Sequence, residues 1–152
     1  MALYDEDYFA WTRQQAAELR KLAAARANLP LDLALLAEEV EDLGSETYNA
    51  CASQIGRILK HLLKLEHSPA SRPRGSWMSW VVEARGEIER RRTRTIDAKL
   101  RDELDRIYRR ARQQAELELA EHDESPSLPA ACPYDWDQII DDGWWPEARA
   151  SS

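Results

Sequence analysis

The sequence predicts an all-α protein, and three observations predict it. Gly is scarce, at 5 in 152 residues, while the strong helix formers Ala, Leu, Arg and Glu abound. Apolar residues recur at the three-and-four spacing of a single helical face along most of the chain. Pro, Ser and Gly collect in a few short stretches and leave long runs between them uninterrupted. Short connections favour antiparallel neighbours, so the expected architecture is an antiparallel helical bundle of about five main helices, a short C-terminal helix and an aromatic tail. One domain is the natural expectation at this length, over residues 1–147, with 148–152 as a disordered tail.

The first helix is expected from about Asp7 to Ala27, capped by Asp5 or Asp7. Tyr8, Trp11, Leu19 and Leu22 make its stripe, Ala16 and Ala23 fill it, and Asn28 to Pro30 ends it. Tyr4 and Phe9 add aromatics for packing. Next comes LALLAEEVEDLG, Leu33 to Gly44, after the N-cap residue Asp32 and before a Gly that reads as a terminator. On a helical wheel Leu33, Leu36, Val40 and Leu43 share a face that Leu35 widens. Glu39 then falls within the apolar arc, whereas Glu38, Glu41 and Asp42 point towards solvent. Ser45 is placed to cap a helix from about Glu46 to His67, with Tyr48, Cys51, Ala52, Ile55, Ile58, Leu59, Leu62 and Leu65 on one face and Arg57, Lys60 and Lys64 opposite. The Gly44-Ser45 junction reads as a corner or a kink; a corner would set two helices side by side.

SPASRPRGS, residues 68 to 76, is a loop, and Ser76 can cap a helix from Trp77 to about Arg92. Trp77, Trp80, Val81, Ala84 and Ile88 form the inner face there, continued by Arg91 and flanked by Arg85. Thr95 can cap a long helix to about Glu121 with a stripe of Leu100, Leu104, Ile107, Tyr108, Ala111 and Ala115. Asp135 as N-cap with Gln138 at N3 is a capping box, and Tyr134 against Ile139 is its hydrophobic staple. That short helix, Trp136 to about Asp142, stops at Gly143. Trp144, Trp145 and Pro146 follow, most simply as a lid across the bundle and otherwise as an exposed partner site.

Charge is unevenly spread. Residues 1–50 carry 4 Lys/Arg against 10 Asp/Glu, residues 51–112 carry 16 against 8, and residues 113–152 carry 1 against 10, within a net of −7. Acidic ends folding against a basic middle is the simplest account, and it weighs against nucleic acid as a partner. Cys51 and Cys132 have no metal spacing and read as reduced thiols of a cytoplasmic protein. The acidic start MALYDEDYF is not a signal peptide, and no apolar run approaches a membrane span.

Several stretches carry a resemblance: YDEDYFAWTRQQAAELR, LDLALLAEEVEDLG, HLLKLE, SW with the later EAR, and CPYDWDQII ending in WWP. From about Tyr4 to Pro146 the chain resembles the bacterial family catalogued as domain of unknown function 29. The resemblance implies a mostly helical protein of a kind widespread in cyanobacteria and proteobacteria. That family has no assigned activity, so the resemblance supplies no catalytic residues. The chain departs from it in RRRTRT after the fourth helix and in Ala84, where Gln is more usual.

Three functions are consistent with these residues. The first is a small cytoplasmic accessory or interaction protein without catalytic activity, meeting a protein partner or a second copy of itself through Trp144, Trp145, Arg72 and Arg74. The second is a divalent-metal-dependent hydrolase, with Glu38, Glu39, Asp42 and His61 as candidate ligands, because carboxylates at helical spacing and a His from a neighbouring helix can converge on one ion. The simpler reading of the same residues is a buried ion pair of Glu39 with Arg85 or Arg91. The third is a nucleic-acid module using the Arg-rich end of the fourth helix, Arg90 to Arg94, where a solvated helix terminus is the plainer account.

Overall fold

The structure is a computed structural model that describes residues 2–25, 28–70 and 73–149. Its described residues hold seven helices and no strand: α1 Leu3–Glu6, α2 Tyr8–Ala24, α3 Leu33–His67, α4 Arg74–Arg91, α5 Arg94–Asp102, α6 Leu104–Ala120 and α7 Trp136–Ile140. The protein is all-α, as the composition predicts. Contacts cluster into two compact units, residues 1–50 with 92–99, and residues 51–91 with 100–152. No helix among the described residues is long and apolar enough to cross a membrane.

The largest difference from expectation is α3. The corner or kink foreseen at Gly44-Ser45 does not interrupt it, and 35 residues form one helix. Gly44 is not a terminator but a close-packing position in unit 1. It is buried, and a Cβ there would run into the Thr12 hydroxyl and lie 3.0 Å from Thr12 Cβ. Phe9 beside Tyr48, Thr12 beside Gly44 and Arg20 beside Glu41 show that α2 and this half of α3 run antiparallel. Leu33, Ala37, Gly44 and Tyr48 are the buried residues of α3 in this unit, facing Phe9, Thr12 and Ala16. Small side chains let the two axes approach closely, and that rotates the expected leucine face outward. Leu36 and Leu43 are exposed and Val40 is half-buried.

Unit 1 is closed by residues 92–99 at the Asp7 end of this hairpin. Asp7 caps α2 by accepting from Ala10 N at 3.0 Å, and its other oxygen accepts from Thr95 N at 3.0 Å and Thr95 Oγ1 at 2.6 Å. Burial pushes the Asp7 carboxyl up, but the bonds from Thr95 and Ala10 outweigh it and hold it below its ordinary value. Thr95 is therefore not the cap of α5; Thr93 is, accepting from Ile96 N at 3.2 Å. Lys99 Nζ sits 4.2 Å from the Tyr48 ring centroid.

Unit 2 is built around the last turns of α3. Residues His61 to Glu66 are all buried, so this end is enclosed on every side rather than presenting a basic outer face. Lys64, expected towards solvent, is 5% exposed, lies 5.6 Å from the Trp77 ring and bonds Glu118 at 2.7 Å. Lys60 reaches the same carboxylate at 3.0 Å. Val81, Ala84 and Ile88 of α4 and Tyr108, Ala111, Ala115 and Leu119 of α6 complete the core. The single long helix expected from Thr95 breaks at Glu103, which separates α5 from α6. Tyr108 Oη then anchors the following loop by donating to Pro129 O at 2.6 Å. The capping box of α7 forms in full between Asp135 and Gln138.

Candidate functional site

The carboxylates and histidine proposed as metal ligands lie on one continuous helix. Glu38, Glu39 and Asp42 belong to unit 1 and His61 to unit 2, and the helix that carries them runs through Gly44-Ser45 without the corner that would have turned one towards the other. Glu38, Glu39 and Asp42 are all exposed. Among the described residues no three His, Cys, Asp or Glu side chains gather closely enough to hold a metal ion.

His61 belongs to the core of unit 2. It is 1% exposed, and its ring lies 4.9 Å from that of Trp80. Burial, reinforced by Lys64 and Lys60, drives its pKa down to about 3, so the imidazole is neutral. Its Nδ1 is buried without a hydrogen-bond partner. Trp80 covers it from outside, with Arg57 5.9 Å from the indole.

The buried ion pair expected of Glu39 loses its premise, because Glu39 is exposed and needs no buried cation. Arg85 is buried at 3% exposure, but it serves α7. Its Nε donates to Ile139 O at 2.9 Å and its Nη2 to Gln138 O at 3.0 Å, which satisfies carbonyls at that helix's C-terminus. Burial pushes the guanidinium down from its ordinary value, opposed by Asp142 and Asp141. Arg91 is exposed rather than continuing the inner face, and with Arg90 it bonds Glu87 one turn back. Arg92 bonds Asp97 at 2.6 Å.

Of the four residues expected to form an interaction surface, Arg72 lies outside the described residues. Arg74 donates to Leu65 O at 2.8 Å. Trp144 and Trp145 are half-buried, Trp144 against Tyr134 at 5.6 Å and Trp145 against Arg85 at 5.1 Å.

Two features were not legible as sites. The first is a flank of the α2–α3 hairpin in unit 1. One side of the hairpin is polar, where Arg13 and Arg20 reach Glu41 at 3.6 and 2.7 Å. The bond from Arg20 holds the Glu41 carboxyl below its ordinary value. Helical spacing puts Leu22 of α2 and Leu36, Val40 and Leu43 of α3 on the other side, with half-buried Trp11 and Leu19. Leu22, Leu36 and Leu43 are 45%, 39% and 49% exposed. Next to this strip on α3 lie exposed Glu39 and Glu46, with exposed Asp42 and Glu38 further round the helix, and none of the four is paired with a cation among the described residues.

The second is a cleft of about 340 Å³ in unit 2, lined by Glu66, Tyr134, Gln138, Trp144 and residues 146–149. Glu66 is 6% exposed, accepts from Tyr134 Oη at 2.9 Å and meets Arg149 Nε at 2.6 Å. Burial and the Glu66 carboxylate hold the Tyr134 phenol far above its ordinary value, so it stays a donor. Arg149 N also donates to Glu66 O at 2.6 Å. The sequence signal for this cleft was Tyr134 just before a capping box; nothing in the periodicity of α3 marks Glu66.

Comparison with known proteins agrees with a helical protein of unassigned activity. No curated protein matches the chain. An alpha-helical protein of unknown function from Rhodospirillum rubrum, solved by crystallography, is similar to it at 30% identity and a TM-score of 0.81, over 95% of this chain and 92% of that one. The family model described as Domain of unknown function DUF29 matches residues 3–145, which include all the described helices, and the chain belongs to that family.

Proposed function

We propose that the protein is a small cytoplasmic accessory protein that works by binding rather than catalysis, and that its partner presents an amphipathic helix with basic flanks to the α2–α3 hairpin of unit 1. The observation that carries this reading is the strip of exposed Leu22, Leu36 and Leu43 with half-buried Val40 between them. Single exposed leucines are ordinary; a row at heptad-like spacing on one side of a hairpin is the geometry that receives a helix. The exposed acids Glu39 and Glu46, beside Leu43 and Leu36 at helical spacing, select the charge of what docks. A second copy of this chain would bring the same acids to the same place, so a basic partner is the better occupant.

The test uses the full chain and two labelled synthetic helices with identical leucine faces, one flanked by lysine and one by glutamate. Fluorescence anisotropy should show saturable binding of the lysine helix only, weakening as salt rises. Leu36→Glu and Leu43→Glu sit at exposed positions that tolerate substitution, and each should weaken binding about tenfold or more. Equal binding of both helices, or binding untouched by these substitutions, would overturn the proposal. So would a stable dimer of the free protein that Leu36→Glu dissolves, because the occupant would then be a second copy.

A further inference from the structure

We propose, on the footing of the docking face just described, that the aromatic trio Tyr4, Tyr8 and Trp11 anchors the partner of unit 1 by receiving an arginine side chain from it. Leu19 follows Tyr8, and Leu22 follows Trp11, by about three whole turns of α2, so the rings continue the leucine flank of that helix. α1 ends at Asp7, and Tyr4 packs against both rings. It meets Tyr8 edge-on at 5.5 Å and Trp11 edge-on at 4.9 Å, while Tyr8 and Trp11 stack at 6.0 Å. Tyr4 is 52% exposed and the other two are half-buried. A single exposed ring is ordinary; a contiguous group of rings at the end of an apolar strip is the composition of an interface anchor.

What these rings lack is a cation. In the same unit Arg13 stands 4.7 Å over the Phe9 ring and Lys99 4.2 Å over that of Tyr48. Among the described residues no Lys or Arg stands over Tyr4, Tyr8 or Trp11. The surroundings are acidic instead. Asp5 and Glu6 follow Tyr4 and are exposed. Phe9 lies beside Tyr48 and Thr12 beside Gly44 in antiparallel helices, so exposed Glu46 stands level with Trp11 on the α3 side of the strip. Ring faces and carboxylates attract the same sign of charge. Shape then selects among cations. With centroids 4.9 to 6.0 Å apart the rings touch one another and enclose no space. They form a surface, on which a planar guanidinium stacks, rather than a cage, which a methylated ammonium needs around it.

The experiment uses the full chain and the lysine-flanked helix of the preceding test, with a flanking lysine near one end, and then near the other, replaced by arginine or by citrulline. Anisotropy should show that one of the two arginine placements tightens binding about fivefold over lysine. Citrulline, equally planar but uncharged, should give no gain at that place. Tyr4→Ala, a change at an exposed position, should remove the gain while the lysine helix itself binds within about twofold of its native affinity. Trp11→Leu should do the same, and Tyr4→Phe, which keeps the ring, should keep the gain. A gain from neither placement, an equal gain from citrulline, or a gain that survives Tyr4→Ala would each overturn the anchor while leaving the docking face in place. Saturable binding of none of these helices would overturn both.

Discussion

His61 stands where the alternatives for this protein part. As a ligand it would need open access and a lone pair aimed at an ion; instead it is walled in by Trp80 and flanked by Lys60, Lys64 and Arg57. Its depressed pKa has a consequence for stability. A histidine whose folded pKa lies below its unfolded value contributes its full stability above about pH 6.5 and loses it as pH falls towards about 3, because the unfolded chain binds the proton first. In that window the loss approaches about 1.4 kcal/mol per pH unit. His61→Leu removes the titration while keeping an apolar side chain against Trp80. Urea titrations at pH 7.5 and pH 5 should therefore show the native chain losing about 2 kcal/mol more than the variant. Equal losses would mean that the imidazole takes up its proton in the folded state as readily as in the unfolded one. That His61 lies at the border of a helical stripe was readable in the sequence. That three cations and an indole surround it was not, because Trp80 reaches it from another helix.

At the scale of elements, the helical periods were legible and their junctions were not. The capping box of Asp135 and Gln138 was specified by four consecutive residues, and it formed as written. Asp32 was equally local, and it accepts from Leu35 N at 3.1 Å. Gly44 misled because a glycine after an apolar run is a terminator when the next turn must reverse, and a contact surface when another helix needs room. Only the presence of Thr12 on a neighbouring helix distinguishes the two. The same ambiguity displaced the leucines, since a wheel weighted by hydrophobicity favours Leu36 and Leu43, whereas close approach favours Ala37 and Gly44. Gly44→Ala should accordingly destabilise the chain by about 1–3 kcal/mol through overpacking against Thr12. Gly86→Ala makes the opposite case. It is exposed inside α4 with open space where the Cβ would go, so the better helix former should stabilise by about 0.5–1 kcal/mol. Denaturant midpoints of the two variants measure this directly; a neutral Gly44→Ala would show that α2 and α3 have slack at their crossing.

For the whole molecule the question is whether two compact units behave as one cooperative body. The chain crosses between them three times, at residues 50–51, 91–92 and 99–100. The first crossing falls at the middle of α3, a helix without a break. Helix formation is cooperative, and a helix shared by two cores transmits the loss of either to the other, since the freed half must fray from the boundary. The tryptophans are placed to detect this. Trp11 is the one tryptophan of unit 1, and Trp77, Trp80, Trp136, Trp144 and Trp145 belong to unit 2. In urea, helix content by circular dichroism and tryptophan fluorescence, dominated by unit 2, should trace a single coincident transition. Gly44→Ala, which disturbs only contacts within unit 1, should shift the fluorescence midpoint as far as the helix signal. If the units are independent, fluorescence will stay near its native midpoint while a fraction of the helix signal melts early. In that event Ala50→Pro, which breaks α3 at the crossing, should cost no more than the helix bonds it removes, about 3 kcal/mol. If they are coupled, it should lower the stability of both units together and by more than that.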